Sequence, residues 1–176
     1  MRTVVVYESM YGNTHAVAQH IGDAAGRRGE ATVIPVDQAT PEMIAGADLV
    51  IVGGPTHMHG MSWSMTRKGA VTDAQKHDTS DDIDPDAEGP GLRDWFHDVA
   101  TVDGIAAAAF DTRLDGAPAL TGRASKGISR RLHHHGFDEI AEPESFLVDK
   151  ENHLRPGEAE RAGQWCDDLL GRIVPT

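Results

Sequence analysis

Apolar positions in this chain come as short β-branched runs, separated by stretches in which they recur at helical spacing. Val4-Val5-Val6-Tyr7 is such a run, with the composition of a strand buried on both faces. Behind it Val17, Ile21 and Ala24 or Ala25 mark one side of a helix that closes at Gly26 to Gly29, where glycine favours termination. Ala31 to Val36 predicts a second strand, Pro41 to Ala45 a short helix, and Asp48 to Gly54 a third, central strand ending in glycines. Residues 63 to 76 and 91 to 98 are helix candidates. Gly104 to Phe110 is placed as a fourth strand by its position in the alternation, since its alanines are poor strand formers. Residues 122 to 135 predict a helix with Ile128 and Leu132 inward, and Glu144 to Val148 a fifth strand. The last helix, about 157 to 171, carries Ala159, Ala162, Trp165, Cys166, Leu169 and Leu170 on one face. Strands alternating with helices imply an α/β chain, with a right-handed parallel sheet covered on both faces.

One stretch departs from the pattern. Between His77 and Gly91 there are six acidic residues and no Lys or Arg, which predicts an exposed acidic excursion rather than a core element. Its aspartates do not match a calcium loop. The whole chain has 176 residues, 39% of them apolar, enough for one sizeable core and so for a single domain, 1–176. A net charge of −12 argues against nucleic-acid or anionic-membrane partners. With one cysteine, Cys166, no internal disulfide forms. No secretory signal or long apolar span is present, so a soluble, cytoplasmic protein is the expectation.

The candidate chemistry begins where the first strand ends, at Ser9-Met10-Tyr11-Gly12-Asn13-Thr14. Two hydroxyls and a glycine precede a helix start, where backbone N–H groups and the helix dipole attract a phosphate. No Lys or Arg lies between residues 3 and 26, so such a phosphate would be held without a salt bridge. The spacing matches neither G-x-G-x-x-G nor G-x-x-x-x-G-K-[ST], which favours a monophosphate. The same residues also suit an ordinary strand-to-helix turn with Asn13 or Thr14 as N-cap. In an open parallel sheet, ligands sit at the carboxyl ends of the strands, where loops 8–14, 54–64 and 111–122 meet. His57-Met58-His59 lacks the further ligands a metal site needs, and no metal is expected. His133, His134 and His135 suit the negative end of a helix dipole, and Cys166 reads as packed rather than nucleophilic.

Ser9-Met10-Tyr11-Gly12-Asn13-Thr14 resembles the FMN-phosphate loop of the flavodoxin superfamily, in the variant found in flavodiiron and WrbA-like flavodoxin domains. Gly54-Pro55-Thr56-His57 is similar to the second loop of the same proteins. Phe110-Asp111-Thr112-Arg113 and Pro143-Glu144-Ser145-Phe146 resemble stand-alone flavodoxin-domain proteins of actinobacterial type. The resemblance implies a flavodoxin-like doubly wound five-stranded sheet of order 2-1-3-4-5. It also implies FMN, with phosphate at Ser9, Tyr11, Gly12, Asn13 and Thr14, Met10 beside it, and the ring between loops Pro55-Thr56-His57-Met58-His59-Gly60 and Asp111-Thr112-Arg113. Gly60 would let a neighbouring carbonyl turn toward the ring, and Trp63 is either ring contact or core. The third loop departs from many electron carriers: Asp111 to Gly122 contains no aromatic residue, which leaves one ring face open. Arg113 is placed either against the ring or in pairs with surface acids. The implied function is electron transfer with a redox partner protein. The alternatives are an FMN-dependent NAD(P)H oxidoreductase acting on a small acceptor such as a quinone, and a flavin-free interaction domain.

Overall fold

The computed structural model describes residues 1–57, 60–61 and 91–173. At its centre β1 (Arg2–Tyr7) runs parallel to β2 (Glu30–Pro35) on one side and to β3 (Leu49–His57) on the other. β3 turns back antiparallel into the two-residue β4 (Gly60–Met61) and pairs in parallel with β5 (Ala106–Leu114). Beyond β5 the edge is made by two pieces, β6 (Asp138–Glu139) and β7 (Glu144–Val148). Counting that edge as one position gives the expected order 2-1-3-4-5. The expected fifth strand is β7; β6 is additional. Two residues of β5, Ala108 and Ala109, lie opposite four, Ile140 to Pro143, so the edge bulges outward between β6 and β7.

Side chains of the central strands alternate between two layers, as the pleat requires. Val4, Val6, Val50, Val52, Ala107 and Ala109 face α2 (Pro41–Ala45), α3 (Leu92–Asp98) and α5 (Ala124–His134), where Ile44, Leu92, Phe96, Ile128 and Leu132 cover them. Val5, Tyr7, Leu49, Ile51, Ala108 and Phe110 face α1 (Asn13–Gly26) and α6 (Glu158–Ile173), under Val17, Ile21, Cys166, Leu169 and Leu170. Phe110 lies opposite Gly53, where a Cβ would fall 2.0 Å from the ring, so the large residue on β5 needs glycine on β3. The alanines of β5 serve the same layer packing, because small residues let helices approach a crowded central strand on both faces.

Two boundaries differ from the sequence expectation in a way that matters for the site. β3 continues to His57 and β5 to Leu114, so Pro55, Thr56, His57, Asp111, Thr112 and Arg113 belong to strand ends rather than loops. Gly54↔Asp111 and Pro55↔Thr112 still pair across the two strands, and Thr56↔Met61 continues into the hairpin. The second strand is also shifted by one, with Val36 in a short 3₁₀ turn (Val36–Gln38). The helix expected at 63–76, the acidic excursion at about 77–91 except Gly91, and Met58, His59 and Trp63 lie outside the described residues.

Candidate functional site

Three helices, α1, α3 and α5, begin at the carboxyl edge of the sheet, and each start leaves backbone N–H groups without intrahelical partners. None of the three has a capping side chain at its own N-cap position: these are Gly12, Gly91 and Arg123. For two of them the caps come from the strand ends instead. The Oε2 atom of Glu8, a residue 5% exposed just after β1, accepts the Leu92 N–H of α3 at 2.8 Å. Asp111 Oδ2 accepts the Ser125 N–H of α5 at 2.7 Å, and Thr56 Oγ1 accepts the Ala124 N–H at 2.9 Å. Thr56 also donates its hydroxyl to Asp111 Oδ2 at 3.2 Å. Asp111 and Thr56 therefore bind β3, β5 and α5 into one unit.

Asp111 is fully buried, and burial raises its carboxyl pKa above the ordinary value against the opposing hydrogen bond from Ser125. Its Oδ1 has no hydrogen-bond partner among the described residues.

α1 is the helix left without such a cap. Gly12 sits at its N-cap with φ +79°, and a Cβ there would meet nothing within 4 Å. Ser9 is buried, and its Oγ has no hydrogen-bond partner among the described residues. A buried hydroxyl without a partner is uncommon and asks for one. Beside this helix start lies a cleft of about 270 Å³. Met10, Tyr11, Asn13 and Thr14 come from the first loop and α1, Pro55, Thr56 and His57 from β3, and Thr112, Arg113 and Leu114 from β5. Nine of the fifteen expected residues thus converge, with Leu114, on one depression at the switch point of the sheet, while Ser9, Gly12 and Asp111 lie outside its lining. A larger groove of about 640 Å³, along α5 and the 140–143 bulge, takes in none of them.

Several side chains have definite partners. Thr14 Oγ1 and Thr112 Oγ1 share a buried hydrogen bond of 2.7 Å that joins α1 to β5. Arg113 Nη1 donates to the carbonyls of Leu114 (3.1 Å) and Gly116 (2.9 Å) and to Thr121 Oγ1 (3.1 Å), spanning the third loop to the short α4 (Pro118–Thr121). Its hydrogen bonds thus tie down its own loop rather than surface acids. Leu114, 49% exposed, stands at the cleft rim where an aromatic ring is absent from the sequence. His57 is half-buried, its Nε2 has no hydrogen-bond partner, and burial holds its pKa below the ordinary histidine value while the Glu8 charge opposes that shift. Tyr7 and His15 stack at 4.6 Å under the first loop. Away from the cleft, His133 pairs with Glu139 at 3.0 Å near the end of α5, and Cys166 is buried with its thiol pKa pushed up to about 12.

Two features were not expected from the sequence. Glu8 gave a signal, an acid directly after an apolar strand, but its helix-capping role depends on a partner 84 positions away. The second is a fourth wall: Val148 at the end of β7, and Asp149, Lys150 and Asn152 in the turn that leads to α6, line the same cleft. Asn13, expected at a phosphate, donates its Nδ2 to the Asn152 carbonyl at 2.7 Å.

A sequence model of the flavodoxin family matches residues 5–89. A flavodoxin of Aquifex aeolicus (strain VF5) is 38% identical over 69 residues, which span 38% of this chain and 37% of that protein. In structure, the chain is similar to oxidised Flavodoxin 1 from Bacillus cereus, with a TM-score of 0.67, 20% identity and 97% of each chain covered. It is also similar to a flavodoxin from the domain Archaea, with a TM-score of 0.65, 17% identity, and 98% and 99% of the two chains covered. No helix among the described residues is long and apolar enough to cross a membrane.

Proposed function

From the premise that the chain belongs to the flavodoxin-like superfamily, we propose that it binds FMN in the cleft at the start of α1 and works in electron transfer. The observation that carries the reading is the uncapped helix start beside a buried Ser9 hydroxyl that has no partner among the described residues. An oxyanion there would accept from both, with the helix dipole in its favour. Open space at Gly12 allows close approach of the backbone. Thr56 and His57 from β3, and Thr112 and Leu114 from β5, supply walls of mixed polar and apolar character for a flat ring. Bound FMN would supply one- and two-electron redox chemistry. The chain's own part is to hold it: Asp111 and Thr56 keep the two walls in register, and Arg113 fixes the third loop. The Aquifex and Bacillus proteins named as flavodoxins support the redox role, and the electron acceptor or donor is a redox protein or a small molecule.

The exposed Leu114 favours a second reading. With Arg113 Nη1 held by its own loop and no ring on the third loop, nothing described on that loop covers its side of the flavin, which suits a small reductant or acceptor, as an NAD(P)H oxidoreductase requires. Calorimetric titration with FMN, riboflavin and FAD tests the site: FMN should bind most tightly. Absence of FMN binding, or equal affinity for FMN and riboflavin, refutes the phosphate site. Anaerobic stopped-flow then separates the two roles. Rapid reduction by NADH or NADPH alone supports the oxidoreductase, and reduction only through a protein donor supports the carrier.

A further inference from the structure

We infer that the 149–152 turn is a working wall of this site, and that Lys150 supplies the cation that the first loop lacks for the phosphate of its ligand. The inference deepens the FMN reading and rests on it. The first loop contributes no Lys or Arg, and among the described residues two cations line the cleft, Lys150 and Arg113, of which Arg113 commits its Nη1 to its own loop. Lys150 is exposed and has no hydrogen bond or ion pair among the described residues. Its ammonium is therefore available to an anion in the cleft.

The turn that carries Lys150 is closed on itself. Asp149 Oδ1 accepts the N–H groups of Glu151 and His153, each at 2.9 Å, the Asp149 N–H donates to the His153 carbonyl at 2.8 Å, and Asn152 adopts the left-handed φ of 64°. Asp149 also lines the cleft, but its carboxylate is turned into these bonds, which hold its pKa below the ordinary value. The turn is fastened to α1 by Asn13 Nδ2 on the Asn152 carbonyl, one residue after the helix N-cap. Asn13 thus acts as a positioning residue, joining the fourth wall to the helix start where the anion is placed. A turn held in this way presents its lysine with little loss of backbone freedom on binding.

The test compares FMN with riboflavin, which lacks the phosphate, by flavin fluorescence quenching on the full chain at low and high salt. Lys150→Met should weaken FMN about fivefold, the size of a solvent-exposed charge-assisted contact. It should leave riboflavin unchanged and flatten the salt dependence of FMN binding. Asn13→Ala should weaken FMN in the same direction. Equal losses for FMN and riboflavin, or an unchanged FMN affinity and salt slope in Lys150→Met, would overturn the inference while leaving FMN binding intact. A wild-type protein that binds neither flavin overturns the functional reading and this inference together.

Discussion

Asp111 is the residue whose replacement most directly tests how the site is built. Its Oδ2 alone accepts both the Thr56 hydroxyl and the Ser125 N–H, and Oδ1 has no partner. Asp111→Ala leaves the buried Ser125 N–H unsatisfied, at about 1–3 kcal/mol, and the half-buried Thr56 hydroxyl without its acceptor. It also relieves the burial of a carboxylate, so the net loss of stability at neutral pH should be about 2–3 kcal/mol. Asp111→Asn can place its carbonyl oxygen where Oδ2 is and keep both bonds, at about 1 kcal/mol or less. Thr56→Val removes the Ala124 cap, worth about 1 kcal/mol, and in combination with Asp111→Ala its effect should be less than additive.

The pH dependence carries a sign. Burial raises the native pKa of Asp111, so between the ordinary carboxylate value of about 3.9 and the raised value the native state holds more protons than the unfolded one. This group's contribution is complete below the ordinary value and is lost as pH rises through the native one. The wild type should therefore lose its advantage over Asp111→Asn as pH rises from the ordinary carboxylate value through the raised one. Urea denaturation of the flavin-free protein, followed by far-UV circular dichroism across that range, measures it. An Asp111→Ala protein no less stable than Asp111→Asn, or a wild-type advantage over Asp111→Asn that grows with pH, would refute the argument.

Other expectations follow from the same geometry. Ser9→Ala removes a buried hydroxyl with no partner, so urea melts of the flavin-free protein should show equal or slightly greater stability while FMN affinity falls several-fold on titration. Leu114→Tyr puts a ring at the open rim; FMN affinity should hold or rise and any NADH-driven quinone reduction should slow, as stopped-flow rates will report. Cys166, with its thiol pKa pushed up to about 12 by burial, should not react with a disulfide reagent at pH 8 until the protein is unfolded, which thiol titration with and without urea distinguishes.

Much of the fold was legible because it depends on local pattern. The β-branched run Val4 to Val6 and the helical spacing of Val17, Ile21, Ile128 and Leu132 place those side chains in the core directly. The strand ends were less legible. Gly-Pro-Thr-His and Asp-Thr-Arg have loop composition, yet Pro55 and Thr112 pair across neighbouring strands, because β3 and β5 extend beyond the end of β1 at Tyr7. The edge bulge at 140–143 depends on a mismatch of two residues against β5, which no single segment reveals. At the site, residue types in the first loop marked the helix start, but their roles divide in three dimensions. Ser9 and Gly12 border open or unpartnered space, Thr14 bonds Thr112, and Asn13 fastens a turn 139 positions away.

The way helix starts are satisfied explains how a chain of net charge −12 can present a place for an anion at all. Three helix N-termini open on one sheet edge, each worth roughly half a positive charge. Glu8 neutralises α3, and Asp111 with Thr56 neutralises α5, both with groups buried in the protein. Had α1 been capped in the same way, the edge would carry a third buried capping group and no attraction for a phosphate. Instead its cap is a left-handed glycine, and the nearby Ser9 hydroxyl is left without a partner. Acids elsewhere on the surface act across solvent, where their repulsion fades over about 8 Å at physiological salt. The helix field and direct hydrogen bonds act at contact distance. Local donors therefore outweigh the global charge, and the carboxylates that cap α3 and α5 leave the start of α1 as the one among these three that still attracts an anion.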